Sequence, residues 1–400
     1  MRLLNFAPRV VRTFLLLVSI SLPCHAGQKV LFIGNSFTFG HGGTASVPKI
    51  FERMAIAGGD GEPLVKMSAV GGKNFEFHEN DQGTRAAIGS EPWDYVILQN
   101  YSTEPTHLGN LDKHLEFGRA LYERVISNRA DTEVILYETW ARSAKHPLIS
   151  GISMPDSFAS TTEMQDELRA GYRSLAEALN KDHPENPPVL VAPAGDAWLN
   201  VGGMLAETNP QFSHLHDIDE YHGNDNGYFL SAAVFYATIY GKSPTGLHLN
   251  PAVLSLGLNL TVNPYDLEQA AWETVTGTMK VGFQSQPVSI SVGEHQSAKF
   301  QVEVRGSQPI EVQWMKDGEP IEGATALTYE LPNAPATMNG ALFSVRVSNA
   351  ISSAVSNTAT LQVMAMATDA ASDATPASTT ASPSKAENPA ADGPHEQGNE

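Results

Sequence analysis

Short, unbroken apolar runs separated by amphipathic stretches mark the first 275 or so residues of the chain. Val30–Ile33, Tyr95–Leu98, Val134–Tyr137 and Val189–Ala192 are each long enough for a strand and apolar throughout, the pattern of strands buried on both faces. Leu115–Ser127 and Met164–Asn180 carry apolar residues at helical spacing and precede the third and fourth runs, and another helical run starts near Gly227. This alternation predicts a parallel sheet with helices on both faces. In such a sheet ligands bind beyond the carboxyl ends of the strands. After about residue 282 the period changes to two. "SAKFQVEV", "IEVQWMKDGEPI", "LTYEL" and "ALFSVRVSNA" read as antiparallel strands, with "KDG" as a hairpin turn.

The two ends of the chain read differently from its middle. Arg2, Arg9 and Arg12 precede the apolar run Phe14–Ile20, and small residues occupy the −3 and −1 positions of a cut after Ala26. Residues 1–26 are therefore expected to be a secretory signal peptide, too short and wrongly flanked for a membrane span. From residue 366 to 400 the chain is Ala, Ser, Thr, Pro and acids, which cannot bury enough surface to offset chain entropy and is expected to be disordered. The domains expected are thus 27–278 and 284–363.

Cleavage removes Cys24, the only cysteine, so an exported, secreted or periplasmic protein without a disulfide or thiolate metal site is expected. It also removes three arginines and no acid, taking the formal charge from −19 to −22. Such a balance argues against binding nucleic acid or anionic lipid by charge.

Within the first domain, "VLFIGNSFTFGHGG" (residues 30–43) ends a buried-looking strand on one serine in a glycine-flanked turn. Such a turn exposes the Ser36 hydroxyl and aims backbone N–H groups into the same space, where they can hold an oxyanion. A serine needs a base within hydrogen-bond reach. Asp219 and His222 in "HDIDEYHGNDNGYF" sit three apart, a spacing that lets one loop hold a carboxylate against an imidazole. His214-x-His216, with Asp217, Asp219 and His222 nearby, also raises zinc, but the spacing does not match H-x-H-x-D-H and there is no H-E-x-x-H, so no catalytic metal is expected. "SAVGGKNFEFH" (68–78) puts Gly71-Gly72 after a strand, and "WDYVILQNYSTEP" (93–105) ends a strand on the amides Gln99 and Asn100.

Taken in order, these segments resemble the SGNH/GDSL hydrolase superfamily over residues 29–245, in a branch whose first block reads G-N-S-F-T in place of G-D-S. "LYETWARS" (136–143) and "PAGDAW" (193–198) are similar to the same branch. The resemblance implies a flavodoxin-like three-layer α/β/α fold, a Ser36–His222–Asp219 triad, ester hydrolysis and no cofactor. It implies an oxyanion hole from the N–H groups of Ser36 and Gly72 (with Gly71 as a substitute) and the amide of Asn100, with Gln99 as the alternative donor. Tyr101, Trp140 and Arg142 are expected to line a substrate cleft. Residues 284–363 resemble a bacterial immunoglobulin-like sandwich, with Trp314 as its central tryptophan, Val302 and Val345 where the bridging cysteines would be, and Phe343 at the corner-tyrosine position. The expected activity is a secreted O-acyl esterase acting on acylated carbohydrate. The alternatives are a lipase or arylesterase, or a non-catalytic glycan-binding protein on a hydrolase-like fold.

Overall fold

The computed structural model describes residues 27–150, 157–203 and 214–365; the segment read as a signal peptide and the acidic tail lie outside the described residues. Five strands, β1 (Lys29–Gly34), β2 (Leu64–Ala69), β3 (Tyr95–Leu98), β4 (Glu133–Glu138) and β5 (Leu190–Pro193), pair in the order β2-β1-β3-β4-β5, and every pairing is parallel.

Successive side chains on a strand point to opposite faces, and here both faces are covered. Val30, Phe32, Ile97, Ile135 and Tyr137 enter one apolar cluster with the helices Val47–Ala57, Asp225–Tyr240 and Pro264–Thr276. Leu31, Ile33, Val96, Leu98, Val134 and Leu136 enter another with the helices Leu111–Asn128 and Thr161–Asp182. That double burial is why β1, β3 and β4 read as unbroken apolar runs. The edge strand β2 is only half covered, and its sequence LVKMSA is correspondingly mixed.

The helices begin earlier than their apolar periodicity. Asn110 and Ser160 cap them by accepting from the N–H of Lys113 and Glu163, which adds a polar first turn to each. From β1 the chain passes to β2 on one side, then returns to place β3 on the other side of β1. This reversal makes the carboxyl ends of β1 and β3 the topological switch point of the sheet, where ligands bind in folds of this kind. Ser36 follows the first of these strands, and Gln99 and Asn100 follow the second.

The C-terminal region is all β. Glu311–Lys316, Leu342–Ser348, Ala359–Met364 and Ile290–Gly293 form one sheet, and Ala298–Gln301 pairs with Thr328–Leu331 in a separate ladder. Asp317 and Gly318 turn the hairpin with φ of 52° and 88°, as a two-residue loop between twisted strands requires. Trp314, Val302, Val345 and Phe343 are buried together in one apolar cluster, so hydrocarbon occupies the space a disulfide would. This region is fastened to the α/β domain. Thr162 Oγ1 donates to Glu303 Oε2 at 2.7 Å, Gly306 N donates to Asn200 Oδ1 at 3.1 Å, and Gln284 Nε2 donates to the carbonyl of Leu199.

Candidate active site

β1 ends in Gly34, and the chain turns at once into a single helical turn, Ser36–Phe39, rather than an open loop. Asn35 caps that turn. Its Oδ1 accepts from Phe37 N at 3.1 Å while its Nδ2 donates to the carbonyl of Lys73 at 2.9 Å. A side chain at Gly34 would overlap Gln99 Oε1 and Thr38 Oγ1, so only glycine lets the end of β3 approach this closely. Gly40, at φ 100°, ends the turn and donates to the carbonyl of Ser36. The same carbonyl accepts from Tyr228 Oη at 3.2 Å, a contact the sequence did not reveal. The Ser36 side chain is thereby presented, half-buried, just past the carboxyl end of β1.

Asp219 and His222 arrive on a tight loop preceding the Asp225–Tyr240 helix. Asn224 caps this helix, and its Nδ2 also donates to the carbonyls of His214 and His216, gathering the loop. Glu220 takes a left-handed φ of 57°, an uncommon state for a side-chain-bearing residue. Ser143 holds it there from the far end of β4: Ser143 Oγ donates to Glu220 Oε2 at 2.5 Å, and Ser143 N donates to its carbonyl.

The three groups meet. His222 Nδ1 lies 2.6 Å from Asp219 Oδ2, and His222 Nε2 lies 2.8 Å from Ser36 Oγ. A carboxylate only accepts, so Nδ1 carries the proton and Nε2 is left to accept from the serine hydroxyl. Burial, and next the charge of neighbouring His41, push the imidazole below its ordinary 6.5 against the opposing pull of Asp219. Burial alone would raise the Asp219 carboxyl, but His222 and the N–H groups of His222 and Tyr221 hold it below its ordinary value. At neutral pH the loop therefore offers a neutral imidazole oriented by a carboxylate.

The amides behave differently from expectation. Gln99 is fully buried, and its Oε1 accepts from Asn35 N at 2.8 Å and Thr38 Oγ1 at 3.0 Å, while its Nε2 donates to the carbonyl of Asn100. Asn100 is also fully buried. Its Oδ1 accepts from Phe75 N and Tyr101 N, each at 2.8 Å, and its Nδ2 meets His114 Nδ1 at 2.9 Å. Burial lowers His114 to about 4, which keeps its ring neutral and able to accept that bond. Neither amide is presented to a substrate, and the expectation that one of them is the oxyanion donor is corrected. Both are structural ties between β3 and its neighbours. The N–H groups of Ser36 and Gly72 reach no protein acceptor among the described residues. Gly72 sits at φ 69° in open space, and Gly71 lies against Phe39 of the nucleophile turn.

Two of the expected cleft residues are also reassigned. Trp140 is fully buried, stacked between Phe37 and Trp198 at 4.1 Å on each side, and its Nε1 donates to the carbonyl of Tyr221. It holds the acid–base loop from below. Arg142 is 3 % exposed; its guanidinium lies 3.6 Å from the Tyr221 ring centroid and its Nη2 donates to Ser102 Oγ at 2.9 Å. Tyr101 is half-buried beside Tyr221 and stays at the rim. His216 is buried with Nε2 against the carbonyl of Ala141, and among the described residues it shares no cluster of ligand atoms with His214. The sequence reading missed His41, whose ring stacks on His222 with centroids 4.1 Å apart.

Fold and site together define a parallel α/β domain carrying a Ser–His–Asp constellation at its switch point, followed by an all-β domain. The all-β part, residues 281–363, matches the immunoglobulin I-set domain family. No curated protein matches the chain. Among solved structures, the chain is similar to a DUF4886 family protein from Bacteroides uniformis ATCC 8492, at 17 % identity over 63 % of this chain and 95 % of that one, with a TM-score of 0.46. The C-terminal part is similar to the titin M3 domain (24 % identity, 22 % of this chain and 98 % of that one, TM-score 0.19) and to the tandem immunoglobulin repeats of Dlar (9 %, 22 % and 48 %, TM-score 0.21). These likenesses are too remote to carry a function, and the functional reading rests on the geometry of the site.

Proposed function

We propose that the chain is an exported serine esterase of the SGNH type that removes O-acyl groups, acetyl first among them, from carbohydrate. The observation that carries the reading is the hydrogen-bonded line from Ser36 Oγ through His222 to Asp219. In this mechanism Ser36 Oγ attacks the acyl carbonyl as His222 Nε2 takes its proton. Asp219 keeps the imidazole in the right tautomer and stabilises the imidazolium. His222 then protonates the leaving alcohol, and water, activated by the same imidazole, hydrolyses the acyl-enzyme. The oxyanion is held by the N–H groups of Ser36 and Gly72.

Carbohydrate as the alcohol is supported by the leader-like N-terminus, the acidic composition and two half-buried tyrosines, Tyr221 beside His222 and Tyr101 beside Tyr221. The test is hydrolysis of p-nitrophenyl acetate and release of acetate from acetylated polysaccharides. Ser36→Ala should abolish both by at least ~10³-fold while the thermal unfolding curve stays in place. Undiminished turnover in that variant refutes the assignment.

A further inference from the structure

We propose that His41, Asp219 and His222 form a zinc site that switches the triad off. His41 lies five residues after the nucleophile in a turn bracketed by Gly40, Gly42 and Gly43, all at positive φ. Its backbone is pinned by Thr44, whose Oγ1 accepts from His41 N and whose N–H donates to the His41 carbonyl. Its side chain has no comparable bond. Nε2 stands 3.8 Å from Asp219 Oδ2 and 3.9 Å from Asp217 Oδ2, too far for hydrogen bonds and close enough to share an ion with the first. The esterase mechanism gives this ring no bond to make or proton to carry.

Among the described residues, His41, Asp219 and His222 each offer a ligand atom, and those atoms lie within 4.8 Å of one another. Two imidazole nitrogens and one carboxylate oxygen, with water as the fourth partner, are a donor set for zinc rather than for magnesium or calcium. Zinc bonds of about 2.0–2.2 Å in a tetrahedron put neighbouring ligand atoms roughly 3.3–3.5 Å apart. The present separations, 2.6 Å for His222 to Asp219 and 3.8 Å for His41 to Asp219, fall on either side of that value. The His41 and His222 rings are stacked 15° from parallel, and an imidazole binds zinc in its own plane, so the His41 ring must swing out of the stack to complete the site, a motion its glycine-bracketed turn and partly exposed side chain permit. The side chains of His41 and Asp219 are 38 % and 33 % exposed, so an ion reaches them from solvent.

The consequence for catalysis follows from the tautomer. Zinc on His222 Nδ1 takes the position of the proton that Asp219 holds there. The imidazole stays neutral, the proton exchanges through solvent to Nε2, and Nε2 then donates to Ser36 Oγ in place of accepting from it. A base in the wrong tautomer does not activate the serine, and in serine hydrolases that fault costs about 10⁴ in kcat. The switch-off rests on the proposed esterase reading; the binding of zinc does not.

The experiment titrates zinc chloride into the full chain carrying Ser36→Ala, which removes turnover and no ligand, and follows binding by calorimetry. One zinc per chain is expected, with magnesium not competing. Adding His41→Ala to that variant should weaken binding by roughly tenfold or more, by analogy with the cost of disturbing a metal's ligand shell; an unchanged thermal transition shows that the fold is intact. In the wild-type chain, p-nitrophenyl acetate hydrolysis should fall along the same zinc-binding curve and return on adding a chelator. No binding to the Ser36→Ala chain, or equal binding with and without His41, overturns the site. If zinc binds in a His41-dependent way and the metal-free chain hydrolyses no ester, the zinc site stands and the esterase reading falls.

Discussion

Truncating Gln99 separates two roles for the same amide. Its Oε1 accepts from Asn35 N and Thr38 Oγ1, and the three residues are 0–3 % exposed. Gln99→Ala therefore strands two buried donors at the nucleophile turn. Each costs about 1–3 kcal/mol when left unpaired. Water entering the space left by the amide offsets part of this, so a loss of about 2–4 kcal/mol is expected. For a domain of this size that is a fall of roughly 5–15 °C in Tm. The turn that carries Ser36 also loses its tie to β3, and a displacement of about 1 Å costs up to ~10² in kcat. Thr38→Val is the graded control. It removes one donor and leaves Gln99 still paired with Asn35, so the loss should be nearer ~1 kcal/mol. Calorimetry and steady-state hydrolysis of p-nitrophenyl acetate, run on the same preparations, read both effects. A Gln99→Ala chain with unchanged Tm and a kcat reduced by about 10²–10³ would refute this reasoning, because that pattern belongs to an oxyanion donor that does no structural work.

Other outcomes follow from the same geometry. His222 acts as a base only when neutral, and burial with His41 alongside holds its pKa below 6.5; kcat/KM should therefore be fully developed at neutral pH and fall on acidification through a midpoint below 6.5, and a midpoint above 7 in the pH–rate profile would contradict the site. Gly72→Ala has room for its methyl group but not a comfortable φ at 69°; kcat should drop by up to ~10² with KM nearly unchanged as the N–H is re-aimed, and full kcat would remove Gly72 from the oxyanion hole. A chain ending near residue 280 keeps Ser36, Asp219 and His222 but uncovers Leu199, Asn200 and Thr162; it should hydrolyse the small ester within a few-fold of the full chain while melting earlier, and a soluble, inactive product would mean that the second domain helps to form the site.

The apolar patterning alone dictated most of the architecture. The central residues of β1, β3 and β4 (Val30–Ile33, Val96–Leu98 and Val134–Tyr137) are buried among both helical layers, so these runs are apolar and the parallel sheet shows in composition. Ser36, Asp219 and His222 were legible as candidates for a related reason: they stand just past a strand end or just before a helix start, where Gly34, Gly40 and Asn224 mark the turn. What tertiary structure decided was the destination of polar side chains. Gln99 and Asn100 have the chemistry of oxyanion donors, but the sequence does not say which buried N–H groups lie nearest. Folding brings Asn35, Thr38 and Phe75 to them, and an unpaired buried donor costs more than the amides would gain at the surface. Trp140 likewise reads as either a cleft wall or a core residue until Phe37 and Trp198, about 100 and about 60 residues away in the chain, close on its two faces. His41 carries no motif at all. Only the return of the chain from residue 41 to the Asp219–His222 loop sets its ring on His222, because contacts of that sequence separation exist only once the sheet has formed.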